Sequence, residues 1–256
     1  MLFKKSVVMT NHLIDFHHLT KHLNQLISQD YLAFSITENP VFRIVNERSF
    51  AQIIYVIQQY SIFPKELVSF TELARQKALT AGWNSVVEEL TENIAEEMGS
   101  TTQGVSHYRL LAEGLEEGLG VPVKNTMPSI ATSKLLTTVQ LIFEQQLLYV
   151  LGATYAIEAT AIPELTLIMQ LVECLLENPM PTNLHYFFSK HLNEWELEHE
   201  AGLRTSVAEY IRPEQFEEFT TGFRQMIDAM EVWWQELAQE AIVFEVDFSP
   251  AIAQKY

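Results

Sequence analysis

Apolar residues recur three and four positions apart along nearly the whole chain, the period of one face of an α-helix. Over residues 11–28 the stripe is Leu13, Phe16, Leu19, Leu23 and Leu26. A second helix is predicted at about 47–60, yielding before Pro64 because the residue ahead of a proline is pushed out of the helical region. Pro64 then suits the opening of a third helix to about Leu79, where its missing N–H has no intrahelical partner to lose. A fourth helix over 84–98 stops at the turn cluster GSTTQG, 99–104, and His107 opens the next, which ends near Gly118 and Gly120.

Beyond Pro122 and Pro128 the pattern predicts a long helix over 133–161 that tolerates Gly152, a break at Pro163, and a further helix over 164–176. After the loop ENPMPTN, 177–183, helices are predicted over 184–201 and 213–241. The tail from about 242, VFEVDFSPAIAQKY, reads as a short edge strand or a packed extended arm. No comparable stretch alternates with period two. The expected fold class is all-α, one domain over 1–256 built as a compact bundle of seven to nine helices.

The 256 residues, 48% of them apolar, suffice for one large core that buries about 70% of the extended surface. A net charge of −17 leaves no basic excess to neutralise phosphates, which argues against nucleic acid or an anionic membrane as partner. The lone cysteine, Cys174, excludes an internal disulfide and sits in an apolar helical run, where a buried inert thiol is expected. The N-terminal MLFKKSVVMTNHL lacks a signal-length apolar segment. The most apolar stretch is interrupted by Glu144, Gln145, Gln146 and Glu158, so a buried helix of a water-soluble, cytoplasmic protein is expected rather than a membrane span.

Acids and histidines on stripes that should face the core change the picture. Glu158 stacks on Thr154, Leu151 and Leu147, where a lone carboxylate must be neutralised, paired or bound to a metal. His191 shares a side with Leu184, Phe187, Phe188 and Trp195, as a hydrogen-bonded core residue or as a ligand. His199 lies about 80° away from it in a regular helix, and a one-residue helical bulge would bring the two rings together. Glu96 and Glu97 close a helix just before the glycine turn, an end where the dipole disfavours acids, and His107 opens the following helix. Glu96, His107, Glu158, His191, Glu196 and His199 together have the composition of a dinuclear iron or manganese site of a helix bundle.

Three segments carry a family resemblance: NIAEEMG…SHYRLL at 93–111, YAIEATAIPE at 155–164 and YFFSKHLNEWELEHEAG at 186–202. They resemble the signature segments of the haem-oxygenase-like dimetal oxidases and oxygenases. That family shares the thiaminase-II and pyrroloquinoline-quinone-synthase fold and includes the chlamydial death-domain-associated protein. The resemblance, over roughly residues 10–240, implies a haem-oxygenase-like multi-helical bundle that binds Fe(II), two per chain, with dioxygen as co-substrate. It implies oxidation or cleavage of a small, largely apolar substrate. By motif the implied ligands are Glu96 with His107, then Glu158, then His191, and finally Glu196 with His199. The last acid and histidine stand one residue later than the family spacing, which requires the bulge; Glu198 is the acid expected if the helix is regular.

A metal-free oxidase resembling the quinone-cofactor synthases, or a binding protein for a fatty-acid-like molecule, is the alternative within the same fold. Thiamine-degrading activity would need a cysteine nucleophile in the pocket. Phe50, Tyr55, Tyr108, Phe143, Phe187 and Trp195 are candidates for an apolar cavity wall, and Arg109, Lys134 and Lys190 for holding a substrate carboxylate. Phe219, Phe223, Met226, Met230, Trp233 and Trp234 form a stripe that serves either as intramolecular core or as the face of a homodimer.

Overall fold

The computed structural model describes residues 2–45, 50–176 and 179–244, with side chains described from residue 15 onward and not at 44–45. Among the described residues there is no strand, and the order is α1 (Leu2–Asp30), α2 (Pro40–Val45), α3 (Phe50–Tyr60), α4 (Ile62–Ala81), α5 (Asn84–Glu97) and α6 (His107–Leu119). Then follow α7 (Ile130–Phe143), α8 (Leu147–Leu175), α9 (Thr182–Lys190), a π-helical turn (His191–Trp195), α10 (Glu196–Ala208), a 3-10 turn (Pro213–Gln215) and α11 (Phe216–Val243). The all-α bundle expected from the periodicity is the observed architecture. The expected start of α3 at 47 and most of the tail fall outside the described residues.

Helix boundaries follow local chemistry. The Ser106 and Ser129 side chains accept the backbone N–H of Arg109 and Thr132 and so cap α6 and α7. Gly82 and Gly120 close α4 and α6 with φ of 73° and 65°, in the left-handed region that favours glycine.

Two boundaries correct the sequence reading. The helix predicted over 133–161 is broken at Glu144–Gln146, where Gln146 is extended (ψ 158°) and α8 begins. Conversely, Pro163 does not end a helix but lies inside α8. A proline there forfeits one backbone hydrogen bond at a cost of about 3 kcal/mol. Burial of Glu164, Leu165, Leu167 and Ile168 in the turn that follows keeps the helix continuous.

α8 is the central helix and packs against α11, α10, α4, α7 and α3. It is the one described helix long and apolar enough to cross a membrane, yet its apolar side is covered by these neighbours. α8 and α11 cross at a pair of glycines. A Cβ on Gly152 would fall 1.9 Å from the Phe219 carbonyl oxygen, and one on Gly222 would fall 1.9 Å from that of Tyr149.

The apolar stripe of α11, from Phe219 to Trp234, is buried within the chain as intramolecular core. Cys174, expected to be buried, is exposed: Leu171, Val172 and Leu175 take the core side of the last turns of α8.

Candidate metal centre

α5, α6, α8, the π turn and α10 bring acids and imidazoles to a cavity of about 60 Å³. Two triads form there, Glu97 with His107 and His191, and Glu158 with Glu196 and His199; within each, the available ligand atoms lie within 4.8 Å of one another.

The π turn brings Glu196 and His199 of the second triad to the same cavity as His191 of the first. A regular helix advances about 100° per residue, so His191 and Glu196 would stand about 140° apart and His199 about 80° from His191. The π turn absorbs one extra residue. Positions 191, 196 and 199 then behave as if spaced four and seven apart, and His191, Glu196 and His199 are all buried against the cavity. Glu198, the acid expected of a regular helix, is exposed.

α5 supplies the other distinction. Asn93 and Glu97 are four apart, both line the cavity, and Asn93 donates to Glu158 Oε1 at 3.0 Å. Glu96, one position round, turns toward α10, where its Oε2 meets His199 Nε2 at 2.9 Å. The carboxylate grouped with His107 and His191 is therefore Glu97, and Glu96 backs an imidazole of the other triad. The neighbouring EE pair is a visible sequence signal for Glu97; the choice between the two acids needs the helix phase relative to α6 and α10.

Hydrogen bonds settle which imidazole nitrogens are free. His191 Nδ1 donates to the Phe187 carbonyl at 2.9 Å, leaving Nε2 as the lone-pair nitrogen, 3.9 Å from Glu196 Oε1. His107 Nδ1 meets Glu97 Oε1 at 3.0 Å, and its Nε2 is buried with no partner. Trp195, the last residue of the π turn, stacks on the His107 ring at 4.0 Å and 11° and fixes its plane.

The electrostatics are those of a site short of positive charge. Burial raises Glu158 and Glu196, and each sits in the field of further carboxylates. Burial lowers His191 to about 4. For His199 burial also acts downward, but Glu158, Glu196 and the Glu96 contact outweigh it and raise the imidazole to about 9. Among the described residues, no lysine or arginine lines the cavity. A buried pair of carboxylates whose basic neighbour is the single imidazole of His199, beside the orphaned Nε2 of His107, fits the donor set of two divalent cations.

Of the expected wall residues, Tyr108 and Phe187 line the cavity, while Trp195 lies behind His107. Phe50 is exposed, Tyr55 stacks on Phe244, and Phe143 packs on Phe70. The basic candidates are spent on surface ion pairs: Arg109 with Glu113, Lys134 with Glu236 and Lys190 with Glu194. Sequence reasoning missed Glu164 and Tyr60, which do line the cavity. Glu164 lies one residue beyond the proline expected to end its helix, so it carried no stripe signal.

Residues 17–240 match the family model of a domain of unknown function with a solved structure, DUF3865. The chain belongs to the DUF3865 family. Two crystal structures of a CADD-like protein of unknown function from Nostoc punctiforme PCC 73102, at 2.00 and 1.35 Å resolution, are similar to this DUF3865 protein with TM-scores of 0.87 and 0.86. Sequence identity is 73% and 71%, over 90% and 92% of this chain and 99% and 100% of the other. No protein of curated function matches the chain.

Proposed function

We propose that the two triads hold a pair of divalent metal ions, iron(II) in the native protein, and that the protein is a non-haem di-iron oxidase or oxygenase acting on a small, largely apolar molecule. The observation that carries this reading is the π turn. It departs from regular helix at the five residues that bring His191, Glu196 and His199 onto one cavity. Such turns are frequent at functional sites. Mixed carboxylate and imidazole ligation suits iron, and the three glutamates supply three negative charges against four positive ones.

When bound, the iron pair would supply the electrons and open coordination positions that activate dioxygen. The chain's own residues hold and orient the donors. The Phe187 carbonyl fixes the His191 tautomer, Asn93 fixes the Glu158 carboxylate, and Glu96 fixes His199 from outside the triad. Phe63, Leu67, Ile157, Leu165, Met226 and Met230 exclude bulk water from the other side of the cavity.

The test is metal content of protein purified anaerobically and reloaded with iron(II). The reading expects close to two irons per chain, with His191→Ala and Glu158→Ala well below that while helical content is unchanged. Full iron occupancy in both variants would place the site elsewhere. Dioxygen uptake by the loaded protein, screened across small amines, amino acids and carboxylic acids, tests the redox half of the reading.

A further inference from the structure

Among the described residues, Glu164 is the one acid of the cavity wall that belongs to neither triad. It lies six residues beyond Glu158 on α8, past Pro163, and is 4% exposed. Its Oε1 accepts the Tyr31 hydroxyl at 2.5 Å, and Tyr31 in turn accepts the Trp234 indole N–H at 3.2 Å. Tyr60 stacks on Trp234 and also lines the cavity, where its hydroxyl lies in the field of both Glu164 and Glu196. This end of the cavity thus offers a carboxyl and a phenol with no cation. Around them the wall is apolar, with Phe63, Leu67, Leu165, Met226 and Met230.

A core position would be served as well by glutamine, which accepts the Tyr31 proton without a charge to bury. A carboxyl held instead in an apolar wall is matched to a ligand that brings the positive charge. A substrate carboxylate would meet Glu164 with no lysine or arginine among the described lining residues to offset it. An alkylammonium brings the charge and N–H donors that fit Glu164 and Tyr60, and charge-assisted hydrogen bonds of this kind are roughly twice as strong as neutral ones.

We propose that Glu164 is a substrate-binding residue that selects a small aliphatic amine, holding its nitrogen together with Tyr60 while the hydrocarbon part occupies the apolar wall between them and the triads. The proposal rests on the reading of this cavity as the reaction site and names its substrate class. Glu164 discriminates by charge, and Tyr31 and Trp234 act through it as positioning residues.

The test uses protein loaded with zinc(II), which occupies oxygen and nitrogen donors without redox chemistry, and measures binding of n-butylamine, butan-1-ol and butyrate at about pH 8 by calorimetry or ligand-observed NMR. The amine should bind about tenfold or more tightly than either isostere. Glu164→Gln should remove about tenfold of the amine affinity and leave the alcohol nearly unchanged, with zinc content unaltered. Butyrate binding more tightly than butylamine, or an amine affinity indifferent to Glu164→Gln, would overturn the proposal. The wild-type ranking alone decides if the variant does not fold. Zinc content separates the two readings: two zincs without amine preference overturns this inference and leaves the metal centre standing. Low zinc with an amine preference that Glu164→Gln abolishes does the reverse.

Discussion

His191 Nε2 stands 3.9 Å from Glu196 Oε1, although five residues of regular α-helix would set the two side chains about 140° apart. The π turn from His191 to Trp195 is what makes them neighbours. Asn193 is an exposed residue within it. Deleting Asn193 should convert the turn to regular helix and carry Glu196 and His199 off the cavity. The deletion variant should keep its helical circular dichroism and lose the metal of the second triad. Single substitutions give the complementary result: Glu196→Ala should lose metal and Glu198→Ala should not, measured as iron per chain after anaerobic loading.

Glu96 and Glu97 are adjacent acids with different tasks. Glu97→Ala removes a donor from the triad of His107 and His191 and should abolish binding there. Glu96→Ala removes only the outer partner of His199. It should retain both metals at saturation and weaken the second site by about 10- to 100-fold, the usual effect of losing an outer hydrogen-bond partner. Competitive titration against a chelating dye reads both outcomes.

The bundle and most helix spans were legible from apolar spacing because each helix commits one stripe to a common core. The bulge was legible only as a condition: the family resemblance pairs Glu196 with His199 if the helix bulges, and the spacing alone left Glu198 in a regular helix open. What was not legible depended on contacts between distant segments. Pro163 is tolerated inside α8 because the turn after it is buried, which hid Glu164 from the pattern. The choice of Glu97 over Glu96 depends on how α5 is rotated against α6 and α10. Cys174 shows the same limit: its surroundings are apolar in sequence, but the helix face it occupies points to solvent.

The glycine crossing sets where α8 places Glu158 and Glu164. Gly152→Ala would drive a methyl group to within 1.9 Å of a backbone oxygen that cannot rotate away. Separation of α8 from α11 should cost about 3 kcal/mol or more, above the usual range for a single overpacked methyl because backbone must move. Urea unfolding of Gly152→Ala and Gly222→Ala should show midpoints well below wild type. An unchanged midpoint in both would mean that the helices do not approach this closely.

Burial raises the Glu164 carboxyl to about 7, with the Tyr31 hydrogen bond acting in the opposite direction. The unfolded chain releases this proton near the ordinary glutamate value, and the folded chain holds it to about 7. Between those values the folded state binds more protons, so this group's contribution to stability falls as pH rises. Glu164→Gln carries no such burden. Relative to wild type it should gain about 2 to 3 kcal/mol between about pH 5 and pH 8, read from urea unfolding of the metal-free proteins at each pH.

Anomalous diffraction at the iron edge, from crystals of protein loaded anaerobically with iron(II), tests the metal centre most directly. The account predicts two peaks in the one cavity, the first among Glu97, His107 and His191 and the second among Glu158, Glu196 and His199. Density at those positions without anomalous signal, in crystals whose protein retains its fold, would contradict it.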